Sequence, residues 1–377
     1  MNQEKKPIYK TSAIILLSSF LMLGGCSDST DDTEESVETS ESDTSLETED
    51  GNETTDTVID ITNAIFSERS ADCYDYINTY DASVLDIQNS IGFESAVLVS
   101  GENDYCSIIS NAIPNHDFND QSAGFADDVS EVDQTYIVPR SPQLATISTP
   151  MSQRLTNAIM LNGVVLDLLS AGCYQPTSVM ADEDGNVAIG CNDDSLWLLD
   201  PLGTEHKFGA DAHNAHVQPG GLYHYHGNPN AMFDDNPGPN GSPVIGFAAD
   251  GFPIYGTYFL DDNTGSVRKA ISGYTFKAGS RPPQSDLDPG GEYDGLYIDD
   301  YEFTGAGDLD ECNGMTVDGQ YGYYVTDTYP WVMNCFSGTP DESFTKAAGE
   351  APEGDLPPQE GDLPPLDGDL PPPPLNL

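Results

Sequence analysis

Asp211-Ala-His-Asn-Ala-His-Val-Gln-Pro-Gly-Gly-Leu-Tyr-His-Tyr-His-Gly227 is the stretch on which the fold turns. In Tyr223-His224-Tyr225-His226 aromatic and imidazole side chains alternate with period two. That spacing predicts an extended backbone, with both imidazoles on one face and both tyrosines on the other. Pro219-Gly220-Gly221 just before it signals a turn, so His213 and His216 are expected to fold back beside the strand. The chain has six histidines, and four of them sit here: His213, His216, His224 and His226. Converging imidazoles suit a borderline transition metal, copper or zinc above all, which takes three or four such ligands. His116, in Asn115-His116-Asp117, is a further candidate for the shell. The competing reading is that the histidines hydrogen-bond turn backbone and order a tight loop.

Outward from this stretch, short strand-like runs alternate with Gly, Pro, Asn and Asp. They are Gln134–Pro139, Ala158–Leu166, Val187–Gly190, Ser195–Leu199, Val244–Ala248 and Tyr321–Thr326. The pattern predicts a mainly β fold, an irregular sandwich or barrel-like single core with many loops and few short helices. No βαβ alternation is present. Val58–Phe66 and Tyr74–Asp86 read as helical or irregular. Asp182, Asp184 and Asn186 have the spacing of part of a calcium loop. The closing Glu of such a loop is missing, so a hairpin turn at Asp184-Gly185 is the better reading.

The ends differ from this core. Lys5, Lys6 and Lys10 precede the apolar run Ala13–Leu23, and Leu23-Gly24-Gly25-Cys26 resembles a bacterial lipobox. The expectation is a lipoprotein signal peptide at 1–25, acylation of Cys26, and attachment to the cell envelope through a lipid anchor. Ser27 after the cysteine favours the outer membrane. Residues 26–57 read as a disordered acidic Ser/Thr tether, 58–346 as the core domain, and 347–377 as a disordered tail repeating Gly-Asp-Leu-Pro-Pro. The formal charge of −52, from 64 acidic and 12 basic residues, argues against a nucleic-acid partner. Cys73, Cys106, Cys173, Cys191, Cys312 and Cys335 fall into three neighbouring pairs. In an exported chain these pairs read as disulfides. Cys-x-x-Cys spacing is absent, which argues against a thiolate metal site.

No Gly-x-Ser-x-Gly elbow, His-Glu-x-x-His helix or phosphate-binding Gly-rich loop occurs. The combination of motifs, however, resembles the bacterial YHYH protein family. It is carried by Tyr223-His-Tyr-His226, Ser110–Asp117, Leu161-Asn-Gly-Val164, Asn214–Pro219, Ile245–Gly256, Asp308–Gly314 and Tyr329–Pro340. The resemblance spans roughly 105–345 and implies an exported or surface-anchored protein, without carrying over any catalytic residue. Tyr321-Gly322-Tyr323-Tyr324 looks like an echo of the name motif, with Gly322 where a histidine would stand. Three functions compete at this point: a copper- or zinc-binding protein, a metal- or histidine-dependent extracellular hydrolase or oxidoreductase, and a structural or adhesion module of the cell surface.

Overall fold

The computed structural model describes residues 57–203 and 209–346. The expected signal peptide, Cys26, the acidic stretch up to residue 56 and the tail 347–377 lie outside the described residues. Two sheets dominate. The first holds β1 (Ile59–Asp60), β2 (Asn78–Asp86), β3 (Ile91–Gly101), β4 (Tyr105–Ser110) and β5 (Gln134–Pro139), side by side in that order. Its alternation is regular: Tyr80, Ala82, Val84, Val97 and Val99 are buried, while Asp81, Ser83 and Glu94 face outward. Tyr74–Asp86 is therefore not helical beyond a single 3-10 turn, Cys73–Tyr76. Its apolar residues repeat every second position, and β3 pairs with β2 along its whole length. Among the described residues all helical turns are of this short 3-10 kind. No helix there is long and apolar enough to cross a membrane.

The second sheet has eight strands: β6 (Ala158–Met160), β7 (Val165–Leu166), β8 (Ala215–Val217), β9 (Tyr223–Tyr225), β10 (Val244–Ala248), β11 (Pro253–Tyr255), β12 (Gly314–Val317) and β13 (Gln320–Tyr324). All five residues of β10 are buried, as expected of a central strand covered on both faces. The first sheet packs onto this one. Tyr76 meets Phe247 edge-on at 5.7 Å, and Ser110 Oγ donates to the Gly163 carbonyl at 2.7 Å. A Cβ at Gly163 would lie 2.3 Å from Ser110 Oγ, so this approach requires glycine.

The order across the second sheet is β8-β9-β7-β6-β10-β11-β13-β12. It reads alike from either end, because the segment is built twice. Each half has a hairpin (β6–β7, β10–β11) whose second strand pairs in parallel with the second strand of a later hairpin (β8–β9, β12–β13). The local chemistry repeats too. Asp211 accepts from the His213 N–H and the Tyr223 hydroxyl, and Asp310 accepts from the Cys312 N–H and the Tyr321 hydroxyl, both hydroxyl bonds being 2.9 Å. Asn214 and Asn313 both adopt positive φ, 60° and 70°. Tyr225 pairs with Asn162, and Tyr323 with Asp250. Tyr321–Tyr324 is thus the structural counterpart of Tyr223–His226.

The three disulfides are Cys73–Cys106, Cys173–Cys191 and Cys312–Cys335. They close loops of 33, 18 and 23 residues, each stabilising the fold by about 3 kcal/mol in the chain-entropy model. Two smaller apolar clusters flank the main core, one around Cys173 and Cys191, the other around Trp197 and Tyr297. Ser195–Leu199 does not form the expected strand, since Trp197 has φ 56° and only single bridges form beside it. At 182–186 the Asp182 side chain accepts from the Asp184 and Asn186 N–H groups, closing a turn around Gly185 at φ 88°.

Candidate functional site

The β8–β9 hairpin carries the site. His216 lies directly opposite His224, and Val217 opposite Tyr223, so His216, His224 and His226 project from one face. His226 Nε2 stands 3.0 Å from His224 Nε2 and 2.9 Å from His216 Nε2. One ligand atom from each of the three lies within 4.8 Å of the others. Metal–imidazole bonds of about 2.05 Å would set neighbouring nitrogens about 2.9 Å apart at a right angle and about 3.3 Å apart at a tetrahedral angle. The observed spacing falls at that scale. Protons alone serve it poorly: each nitrogen carries one hydrogen or one lone pair, and His226 Nε2 faces two neighbours.

The His224 Nδ1–H donates to the Leu222 carbonyl at 3.2 Å, which leaves the Nε2 lone pair for a ligand. His224 and His226 are buried, and burial first, then the neighbouring His216, holds both imidazoles well below their ordinary range. These rings are therefore neutral donors, the form a metal needs.

His213 and His116 are placed elsewhere. Their rings pack against each other at a tilt of 41°, centroids 4.0 Å apart, on the tyrosine side of β9. His116 Nδ1–H donates to the Asp117 carbonyl at 2.8 Å, and its Nε2 accepts from the Tyr225 hydroxyl at 2.7 Å. Burial, reinforced by His213, lowers the His116 pKa to about 3. The expected five-histidine shell thus divides into a converging trio and a separate pair that belongs to the tyrosine network. Within that network Asn162 Nδ2 donates to both Tyr225 and Asn115. Asp211, buried and pushed up by burial, receives the Tyr223 hydroxyl.

The second half of the sheet supplies a comparison inside the same chain. Met315, Gly322 and Tyr324 stand where His216, His224 and His226 stand in the first half, and Cys312 matches His213. A Cβ at Gly322 would sit 2.5 Å from the Tyr255 ring, so no imidazole fits there. The hairpin nevertheless keeps its Asp–Tyr bond and its positive-φ asparagine. The three histidines are not needed to hold this hairpin form.

Asp167 and Lys346 went unnoticed in the sequence. They form a buried ion pair near the trio, each side chain 10 % exposed. Beside them runs a cleft of about 220 Å³, lined in part by Thr156, Val165, Gln218 and Leu222.

The fold and site together define a duplicated, disulfide-bridged β sheet on one face of which two buried imidazoles and one half-buried imidazole converge. The motif that builds it is also the signature of a family. The chain belongs to the YHYH protein family, whose model matches residues 135–338, more than half of its length. The match takes in both halves of the second sheet and the whole trio. No curated protein and no solved structure matches the chain.

Proposed function

We propose that this protein is a metal-binding protein of the cell envelope that holds copper or zinc through His216, His224 and His226. The observation that carries this reading is the meeting of three Nε2 atoms at ligand spacing, two of them on buried imidazoles held neutral. The histidine-free counterpart hairpin speaks against a merely structural role. Attachment to a membrane rests on the lipobox ending at Cys26 and belongs to the same proposal. Metal-assisted chemistry is the second reading, favoured by the cleft that Asp167 and Lys346 border.

The test is metal analysis of the full chain, purified without a histidine tag and offered zinc or copper before dialysis. One equivalent of metal per chain is expected. Substoichiometric uptake of both metals would sink the proposal.

A further inference from the structure

The parallel ladder between β7 and β9 places one more charged side chain on the imidazole face. Val165 pairs with His224 and Leu166 with Tyr225, and the Asp167 N–H donates to the Tyr225 carbonyl at 2.9 Å. By two-residue alternation Asp167 leaves the chain on the side of Val165, His224 and His226. The residue is 7 % exposed. One carboxylate oxygen accepts from Lys346. The other, Oδ1, is buried with no hydrogen-bond partner among the described residues. A buried oxygen left this way is costly unless a donor arrives. Asp167 also borders the cleft, so a small molecule can reach it from outside.

The second half again offers a comparison. Tyr255 takes the place of Asp167, and Tyr324 that of His226. These two rings stack at 5.0 Å, and the Arg69 guanidinium lies over Tyr255 at 4.9 Å. The same pair of positions therefore accommodates a cation in the half that has no imidazoles. In the first half the pair is an imidazole and a carboxylate.

We infer that Asp167 is a positioning residue of the metal site, its free oxygen accepting a hydrogen bond from the water, or the hydroxyl of an incoming molecule, that an ion on the trio holds toward the cleft. It does not join the ion directly, since among the described residues only the three imidazoles offer ligand atoms within 4.8 Å of one another at this place. Three neutral imidazoles leave a divalent ion's charge uncompensated, and this carboxylate offsets part of it. Lys346 fixes the carboxylate from the far side. The inference rests on the metal-binding reading above.

Zinc affinity of the full chain, measured by competition with a chromophoric chelator, tests it. Asp167→Asn is expected to weaken zinc by roughly 10- to 100-fold, the usual cost of losing an outer partner. Because Asp167→Asn strands a buried ammonium, the double variant Asp167→Asn/Lys346→Met is measured alongside, and it should show the same loss. Wild-type affinity in Asp167→Asn, or its recovery in the double variant, would show that the carboxylate serves only its ion pair, and would overturn the inference while leaving the trio intact. A wild-type chain that takes up neither zinc nor copper would remove both readings together, and one that takes up copper alone is put through the same competition with copper.

Discussion

Replacing His226 with alanine should weaken zinc or copper by more than about 100-fold, beyond the usual cost of losing an outer partner alone. His226 is the choice because its Nε2 is the one that neighbours both of the others. His213→Ala, which removes a ring packed against His116 rather than one facing the trio, should leave metal content at the wild-type value. Circular dichroism of the metal-free His226→Ala protein should match the wild type, because the counterpart hairpin stands with Tyr324 in that position. Equal metal loss from both variants would mean that His213 belongs to the site and that the division described above is wrong.

A second large effect is expected on acidification. His116 is held neutral, its pKa lowered from 6.5 to about 3, chiefly by burial. A folded value below the unfolded one means that the unfolded chain binds the proton more readily. The contribution is complete above pH 6.5 and is lost as pH falls from 6.5 toward 3. It amounts to on the order of 5 kcal/mol over that window. Asp167, Asp211 and Asp250, all pushed up by burial, take up protons early in the folded state and oppose this loss. Comparing urea midpoints of the wild type and His116→Gln across pH 7 to 4 isolates the imidazole. The variant should lose less stability on acidification, since its side chain does not titrate. Parallel pH curves for the two proteins would show that His116 is not held neutral, and an NMR titration of the wild-type ring gives the same answer if the variant does not fold.

The sequence made the strand at Tyr223–His226 legible because period two is local and the turn before it is explicit. It also contained the division of the histidines, unused: His213 and His216 are three apart, an odd spacing that separates faces in any extended chain. The positive φ of Asn214 between them removes the remaining regularity. The long hairpin Asn78–Gly101 was harder to see. Leu85 and Leu98 lie on its outer face, which blurs the alternation, and Tyr74–Asp86 then resembles a helix. Asp167 was invisible for another reason. It is one of 64 acidic residues, and only the pairing of Val165-Leu166 with His224-Tyr225 brings it to the trio. No local pattern encodes a parallel partner so far along the chain. The disulfide pairs were legible because each joins neighbours in sequence.

The Asp–Tyr bonds and positive-φ asparagines that brace both hairpins bear on the order of assembly. In a zinc finger the ion and the fold arrive together, and a chelator undoes both. Here the hairpin is braced by bonds that involve no ion, so on the proposed reading an ion would load onto a hairpin already folded. Uptake and release would then proceed by ligand exchange on a standing framework, at rates set by access rather than by unfolding. A site built this way would respond to the free ion concentration around it, filling and emptying without passing through a state that proteases or aggregation can capture.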